Sequence, residues 1–404
     1  MGYDVVVVGG GPAGCFTAAN IAGYGFKVLV LEEHKKIGEP VQCAGLVSPR
    51  TLSLVSAPKD LVTGEYSGAR IMSALGSELL IKDNKIYALA VDRSAFDRHI
   101  AGLAREAGAE ILLGAKAAGI KKKSNGFKVN ISIEGRETTA GCRLLIGADG
   151  VNSRVGRWLG LPPAEDRVNM YAGDIQLSSL QTDKVLIFLG QAFAPGWFGW
   201  LIPLTDRLAR VGVGSIYNHR SPRYYFKRMT EHFPSAFRGY RELKYTGGAV
   251  PFGLMKKIYS SHAMLVGDAA GQVKPMSGGG LYTGLRGALI CSRVACRALG
   301  QDQLHEKSLS EYQTLWDGEF GAEFRSGLRH REVYGSMSDH DLDKLLRFLD
   351  RPYWRSLIAR HGDIDYPSWL ARRLFAAGPW LQKFARAAVD LYDYGEKLKN
   401  RAEA

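Results

Sequence analysis

Three glycines near the start of the chain have the spacing of a phosphate-binding turn. Gly9, Gly11 and Gly14 follow a run of four valines and precede an apolar helical pattern, so a buried strand leads into a tight turn and a helix. Glycine permits the turn, lets the backbone approach a pyrophosphate, and lets the helix pack close to the sheet. The pyrophosphate is attracted to the helix N-terminus, where we expect Ala13 to contact it.

An acidic residue follows at the distance that a dinucleotide site requires. Glu32 comes eighteen residues after Gly14, at the end of an apolar strand predicted over residues 27–31. Its carboxylate can accept hydrogen bonds from ribose hydroxyls. A glycine motif alone is weak evidence, but strand, glycines, helix and acidic residue in register predict that the chain binds an adenine dinucleotide.

The apolar periodicity predicts an α/β protein with three units. Segments with strand–turn–helix patterns alternate with segments of period-two patterning, which is typical of antiparallel sheets. We expect a helix over residues 94–107, with Ser94 as its N-cap. The predicted units are a discontinuous Rossmann-type dinucleotide-binding domain (1–60, 90–160 and 258–320), an antiparallel β domain that faces the substrate (61–89 and 161–257) and a helical C-terminal region (321–404).

The composition is that of a globular protein with a basic surface. Of 404 residues, 46% are hydrophobic and 23% are charged, and the formal net charge is +13. Such a charge suits an anionic partner, but the sequence contains no nucleic-acid-binding module. The five cysteines lack C-x-x-C spacing, which favours a reducing cytoplasm over a disulfide framework or a zinc site. We therefore expect a cytoplasmic protein without a bound metal.

An amphipathic pattern near the C-terminus leaves two interpretations open. Trp380, Phe384 and Leu391 recur at helical spacing beside Lys383 and Arg386. Such a helix can lie on the anionic inner face of the cell membrane, or it can pack on its own domain. We favour packing on the domain.

Three further motifs favour a flavin cofactor over a nicotinamide. They are the acidic turn 147–150, the 267–271 turn with the glycine triplet 278–280 after it, and the pair Arg93 and Asp97. In this order they resemble the FAD-binding pattern of the aromatic-hydroxylase type of flavoprotein. The resemblance implies that FAD is bound by Asp268 at the ribityl chain, Arg93 at a phosphate, Ala117 at the adenine, and the backbone amides of Gly280 and Leu281 at the flavin pyrimidine.

The source of electrons is left open by the sequence. A second G-x-G-x-x-G motif is missing, so no dedicated NAD(P)H domain is predicted. The electron donor is then either NAD(P)H that docks transiently, or ferredoxin or another reduced carrier.

Two more motifs indicate a family within this fold. The loop 38–45, which contains Cys43 and Ala44, resembles the proline-x-x-cysteine-glycine loop of the geranylgeranyl reductase family, especially of archaeal enzymes that saturate the isoprenoid chains of membrane lipids. The segment 198–203 resembles the family's tyrosine-x-tryptophan-x-phenylalanine-proline strand, in which Trp200 and Pro203 match. Phe198 stands where the family has tyrosine, and Ile202 where it has phenylalanine.

The second resemblance implies further site residues and a reaction. FAD would be contacted by Cys43, Ala44 and Gly45. The isoprenoid lipid substrate would be contacted by Phe198, Trp200 and Pro203. The catalytic residues would be Cys43 and Trp200. An isolated alkene has no carbonyl to polarise, so we expect a proton to reach the less substituted carbon while reduced FAD delivers hydride to the tertiary carbon. Cys43 or an ordered water is the candidate acid. The structural alternatives are a cysteine that only fills space and a core tryptophan.

Other functions are compatible with the FAD motifs. An aromatic hydroxylase or halogenase would react reduced flavin with oxygen, but the helix after the glycine triplet lacks the glycine-methionine-asparagine sequence typical of hydroxylases. A quinone reductase of the same fold is a second alternative. A basic flavoprotein in which FAD is only structural is a third.

Overall fold

A largely parallel sheet of eight strands lies at the centre of the FAD-motif region. The computed structural model describes residues 2–216 and 219–377, and strands and helices are numbered along the chain. This sheet contains β1 (Gly2–Val8), β2 (Val28–Glu32), β8 (Glu110–Leu113), β9 (Ala115–Lys123), β10 (Gly126–Ile133), β11 (Arg136–Gly147), β17 (Tyr259–Ser260) and β18 (Ala263–Leu265). Its main order is β17-β18-β11-β1-β2-β8; β10 pairs with β11, and β9 pairs with β10. Val5, Val6 and Val7 are fully buried, as expected for a central parallel strand.

Parallel pairing brings three turns from distant parts of the sequence to one edge of this sheet. β1 pairs in parallel with β2 and β11, and β11 pairs in parallel with β18. The turns that follow β1, β11 and β18 therefore meet at the carboxyl edge, which is where open α/β sheets bind ligands. These turns contain Gly9, Asp149 and Asp268.

A second sheet of seven strands forms a separate layer. It contains β5 (Gly68–Ser73), β6 (Glu78–Lys82), β12 (Asp166–Gln176), β13 (Lys184–Leu189), β14 (Phe198–Pro203), β15 (Leu208–Ser215) and β16 (Arg241–Phe252), in the order β16-β12-β15-β14-β13-β5-β6. Every neighbouring pair is antiparallel except β13 and β5, which are parallel. The predicted antiparallel sheet is thus present, with one parallel pair where the hairpin β5–β6 joins it.

The two faces of the second sheet have different partners because side chains alternate along each strand. On one face, Leu201 and Val211 are fully buried in a cluster with Met229 from the helix 222–232. On the opposite face, Trp200 and Ile202 pack in another cluster that includes Ala44. The second face therefore points toward the loop that the sequence assigned to the site.

The remaining elements are a small sheet and eleven helices within the described residues. The small sheet contains β3 (Leu46–Val47), β4 (Val62–Tyr66) and β7 (Ala88–Val91). The helices are α1 (Pro12–Gly23), α2 (Pro49–Leu54), α3 (Arg93–Glu106), α4 (Arg154–Trp158), α5 (Pro222–His232), α6 (Leu281–Gly300), α7 (Glu306–Trp316), α8 (Ala322–Ser336), α9 (Asp339–Leu349), α10 (Pro352–His361) and α11 (Ser368–Ala377). A π-helical turn (Asp317–Gly321) joins α7 to α8, and short 3₁₀ helices occupy Lys59–Leu61 and Gly267–Ala270.

The predicted N-cap of α3 is wrong. The cap is Asp92, whose side chain accepts a hydrogen bond from the backbone N–H of Ala95 at 3.0 Å, and the helix begins at Arg93. Aspartate caps a helix as well as serine does, so the sequence Asp-Arg-Ser offered two candidates two residues apart. Ser94 lies inside the first turn, where its hydroxyl accepts a hydrogen bond from Arg98.

The C-terminal helices pack on the second sheet. Leu79 of β6 is buried against Leu346 of α9 and Ile358 of α10. Among the described residues, no helix is long and apolar enough to cross a lipid bilayer. The amphipathic segment that contains Trp380 and Leu391 lies outside the described residues.

A buried hydrogen-bond network fixes the turn that follows β18. The backbone N–H of Gly267 donates to Gln272 Oε1 at 2.8 Å, and Gln272 Nε2 donates to the Tyr312 hydroxyl at 2.8 Å. That hydroxyl in turn donates to the Leu265 carbonyl at 2.9 Å. Gln272 and Tyr312 are fully buried, so their polar atoms depend on one another for partners.

We predict that Tyr312→Phe destabilises the protein. The substitution leaves a buried amide of Gln272 and a buried carbonyl of Leu265 without their partner, which costs about 1–3 kcal/mol of unfolding free energy. Urea denaturation measures this, with Tyr24→Phe as the matched control because Tyr24 is 72% exposed. Equal stability of the two variants would contradict the role given to the network.

Candidate active site

The glycine turn after β1 is closed so tightly that two of its glycines have no room for a side chain. A Cβ atom on Gly9, whose φ is +107°, would overlap the Ala148 carbonyl of the turn after β11. A Cβ on Gly14 would overlap the Gly9 carbonyl. In contrast, a Cβ on Gly11 would meet no protein atom within 4 Å. The space beside Gly11 is thus open, at the N-terminus of α1.

A pyrophosphate fits that space. No side chain of the described residues caps α1, so its first backbone N–H groups are available to an anion. Ala13 lies in the first turn of α1, and its Cβ is 2.9 Å from the Cβ position of Gly267, the residue before Asp268. The turn after β18 therefore packs directly on the start of α1.

The Glu32 carboxylate is held in place at the end of β2. The backbone N–H of Gly10 donates to Glu32 Oε2 at 2.7 Å, and the backbone N–H of His34 donates to Oε1 at 2.9 Å. The His34 ring contacts the same oxygen through Nδ1 at 2.6 Å. Each carboxylate oxygen has further acceptor capacity, so Glu32 can still bind ribose hydroxyls. Sequence reasoning did not identify Gly10 or His34.

Arg93 connects the first turn of α3 to two other parts of the site. Its guanidinium pairs with Asp97 through bonds of 3.0 and 3.1 Å, and it interacts electrostatically with Cys43. Burial disfavours the charged guanidinium, but Cys43 and Asp97 outweigh this and raise the pKa of Arg93. Burial raises the pKa of Asp268, and the positive charge of Arg93 opposes that rise. Arg93, Cys43 and Asp268 thus belong to one electrostatic group.

The glycine triplet joins this group to the second sheet. Gly280 is the N-cap residue of α6 and Leu281 is its first residue, as the sequence suggested, and the Asp268 carboxylate is 3.2 Å from the Cβ position of Gly280. The Cβ position of Gly278 is 3.2 Å from Trp197 and 3.3 Å from Met170. Backbone amides at a helix N-terminus and an aromatic sheet face therefore lie on either side of the triplet.

Phe198 and Trp200, two of the predicted substrate residues, lie on the face of β14 that points toward the triplet, whereas alternation along the strand puts Pro203 on the opposite face. The Trp200 indole lies over Gly212 of β15, where a Cβ would overlap the ring. The Phe198 ring stacks on Trp197 with centroids 5.2 Å apart. Pro203 ends the strand, and its carbonyl accepts a hydrogen bond from the Tyr66 hydroxyl. Trp200 is 8% exposed, so most of the ring is packed against protein.

The loop 38–45 lies between the electrostatic group and this aromatic face. The backbone N–H of Gly45 donates to Cys43 Sγ at 3.4 Å. The Ala44 carbonyl accepts from the Arg210 guanidinium of β15 at 3.3 Å, and Ala44 packs in the same cluster as Trp200. Cys43 is half-buried. Its thiol is accordingly reachable from the site and is not sealed in the core.

A buried ion pair that the sequence did not reveal lies beneath the glycine triplet. Lys274 Nζ is 3.0 Å from Asp365 Oδ1 and donates to the Ile364 carbonyl at 2.6 Å. The Lys274 side chain fits there because Gly279 has no Cβ; its Cε is 3.0 Å from the position that a Cβ on Gly279 would take. Lys274 and Asp365 are ninety-one residues apart, so no local pattern could have paired them.

Ala117 lies close to the residues that follow β2. It lies in β9 opposite Ile131, and the neighbouring Lys116 Nζ is 3.7 Å from the carboxylate of Glu33, which follows Glu32. Close contacts join Gly14 to Gly9, Gly267 to Ala13, and Gly280 to Asp268. The contact of Ala117 with adenine stays a prediction.

Comparison with known proteins agrees with this geometry. The chain matches the FAD binding domain family over residues 2–303. It is 34% identical to an uncharacterized protein of Methanocaldococcus jannaschii, over 90% of this chain and 92% of the relative. It is 33% identical to digeranylgeranylglycerophospholipid reductase 1 of Methanococcoides burtonii, over 85% and 86%. This chain belongs to the geranylgeranyl reductase family.

A solved structure supports the same membership. The geranylgeranyl bacteriochlorophyll reductase-like protein of Thermoplasma acidophilum superposes on this chain with a TM-score of 0.83 at 26% identity, covering 93% of this chain and 99% of the other. The predicted family, the α/β fold class and the FAD cofactor are confirmed. This member of the geranylgeranyl reductase family is therefore an FAD-dependent oxidoreductase.

Substitutions of Gly11 and Gly14 allow FAD affinity and folding stability to be tested separately. We predict that Gly11→Ala changes the unfolding free energy of the apoprotein by less than about 1 kcal/mol, because its Cβ meets open space, yet weakens FAD binding roughly tenfold or more. Gly14→Ala is expected to cost about 1–3 kcal/mol of stability, because its Cβ overlaps the Gly9 carbonyl. Urea denaturation and FAD titration measure the two effects. Wild-type FAD affinity in Gly11→Ala would show that the pyrophosphate binds elsewhere.

Proposed function

We propose that this protein saturates geranylgeranyl double bonds in isoprenoid membrane lipids or their precursors. The relative from Methanococcoides burtonii is named for reduction of a digeranylgeranylglycerophospholipid. The observation that carries the proposal is the contact between Gly278 and Trp197, because it brings the aromatic face of the second sheet against the glycine triplet 278–280. An apolar, aromatic wall suits an alkene chain that offers no polar group to bind.

The aromatic face supplies binding and charge stabilisation. Phe198 and Trp200 present ring faces whose quadrupoles attract positive charge. Gly212 lets the Trp200 indole pack closely on β15, because a side chain at that position would overlap the ring. An isoprenoid chain on this face would be shielded from water, and cationic character at its tertiary carbon would be stabilised by the indole.

Cys43 is the proton donor in this proposal. Proton transfer from its thiol to the less substituted alkene carbon forms one C–H bond and leaves a thiolate. The Gly45 N–H donates to Sγ and Arg93 interacts electrostatically with Cys43, so both groups would stabilise the thiolate that proton transfer leaves. Asp97 holds Arg93 in position through two hydrogen bonds.

The cofactor supplies the second half of the reduction. Reduced FAD, when bound, provides the hydride that completes the second C–H bond at the tertiary carbon. The amides of Gly280 and Leu281 at the start of α6 suit the anionic edge of a reduced flavin. Electrons reach the flavin from NAD(P)H, ferredoxin or another reduced carrier.

Anaerobic turnover tests the proposed reaction. The holoprotein is reduced with dithionite and mixed with a geranylgeranyl lipid or with its fully saturated analogue as control. We expect flavin reoxidation only with the unsaturated lipid, and a product heavier by one hydrogen molecule for each bond reduced. A product that forms only when oxygen is admitted would contradict reduction and favour a hydroxylase.

The proton donor is tested by Cys43→Ala. Loss of a positioned acid should slow anaerobic flavin reoxidation by the lipid about 10²-fold or more, while the FAD content and reduction by dithionite stay at the wild-type level. Cys296→Ala is the matched control, since Cys296 is also half-buried but lies in α6. A wild-type rate in Cys43→Ala would remove Cys43 from this role and leave an ordered water as the acid.

A further inference from the structure

The ion pair beneath the glycine triplet consists of two charged side chains that are withdrawn from water. Lys274 is 7% exposed and Asp365 is 1% exposed. Burying two charges carries a desolvation cost that their attraction offsets only in part, so an apolar pair of similar size would stabilise the fold equally well or better. Stability alone therefore does not account for this pair.

The lysine is the member of the pair that contacts the glycine triplet. The position that a Cβ on Gly279 would take is 3.0 Å from Lys274 Cε and 3.3 Å from Lys274 Nζ. The next residue, Gly280, is the N-cap of α6, whose first amides suit the anionic edge of a reduced flavin. The positive end of the ion pair thus lies one residue away from the start of α6.

The carboxylate of the pair is held by the link between α10 and α11. Asp363 Oδ1 accepts hydrogen bonds from the backbone N–H groups of Asp365 at 2.9 Å and Tyr366 at 3.2 Å, which folds the link into a turn. Arg50 of α2 donates to the same Asp363 oxygen at 2.9 Å, and its Nη1 is 3.7 Å from Asp365 Oδ2. Asp365 is therefore fixed in position, with a cation beside each of its oxygens.

We infer that the Lys274–Asp365 pair tunes the reduction potential of the bound FAD. Reduced flavin carries negative charge at its pyrimidine edge and oxidised flavin does not, so a cation near this edge stabilises the reduced form more than the oxidised form. Because the pair is buried, water and salt screen the interaction only weakly. Lys274 favours the reduced cofactor, and Asp365 limits this effect so that the reduced flavin remains a hydride donor.

Lys274 and Asp365 are positioning residues in this scheme, because they act on the cofactor through their charges and through the triplet. The C-terminal region contributes Asp365 and so influences the flavin from a part of the chain beyond the FAD binding domain match at 2–303. The inference requires bound FAD but does not depend on the identity of the substrate.

Redox titration of the FAD-loaded protein against reference dyes tests the inference. Lys274→Met leaves the buried carboxylate without its cation, so the equilibrium constant for flavin reduction should fall about tenfold, which is about 30 mV for a two-electron couple. Asp365→Asn leaves the lysine without its counter-ion, so the constant should rise by a similar factor. The double variant Lys274→Met/Asp365→Asn should lie between the two single variants.

The opposite signs separate an electrostatic role from a structural one. Each single substitution breaks a buried pair and should lower stability in urea, so a loosened site would shift the potential in the same direction in both variants. Arg70→Gln is the control, because it breaks the Arg70–Glu78 ion pair in the β5–β6 hairpin at the edge of the second sheet and should leave the potential unchanged.

A half-exposed residue extends the test to a variant that is less disruptive to folding. Arg50→Gln removes a cation from beside Asp365 and should lower the equilibrium constant, by less than Lys274→Met does, even if the buried variants fail to bind FAD. Wild-type potentials in these variants, or shifts of the same sign for Lys274→Met and Asp365→Asn, would overturn the inference. Either result would leave the proposed alkene reduction standing, because that is judged by anaerobic flavin reoxidation with the lipid.

Discussion

The close approach of three backbone turns at one sheet edge is the constraint on which the site depends. Gly9 closes against the Ala148 carbonyl, Gly14 closes against Gly9, and Gly267 packs on Ala13. Larger side chains would separate these turns by about the width of a methyl group, and the ends of β1, β11 and β18 could no longer surround one ligand. The buried Gln272–Tyr312 network holds the third turn in this arrangement.

Charge organises the part of the site beyond these turns. Arg93 interacts with Asp97, Cys43 and Asp268, so it connects the helix α3, the cysteine loop and the turn after β18. Arg210 has a similar position on the other side of the loop, between Asp174 and Ala44. The cysteine loop thus contacts two arginines, one at the start of the helix α3 and one in the strand β15.

Local sequence patterns predicted the site residues that lie in a single turn or at the end of a single strand. The strand–glycine–helix pattern identified Gly9, Gly11, Gly14 and Glu32, and the glycine triplet marked the start of α6. Ser94 was a wrong N-cap because Asp92 is an equally good cap two residues earlier. Lys274 and Asp365, like Arg210 and Ala44, meet only through the tertiary fold, so spacing along the chain carries no sign of them.

We propose that an alkene chain lies on the Phe198–Trp200 face, opposite the flavin. A crystal structure of the FAD-loaded protein with a saturated geranylgeranyl phosphate analogue tests it most directly. We expect a flavin ring between the Gly280 loop and the aromatic face, with the chain in contact with Trp200 and within reach of Cys43. A chain bound elsewhere, or a flavin ring directed away from β14, would contradict it.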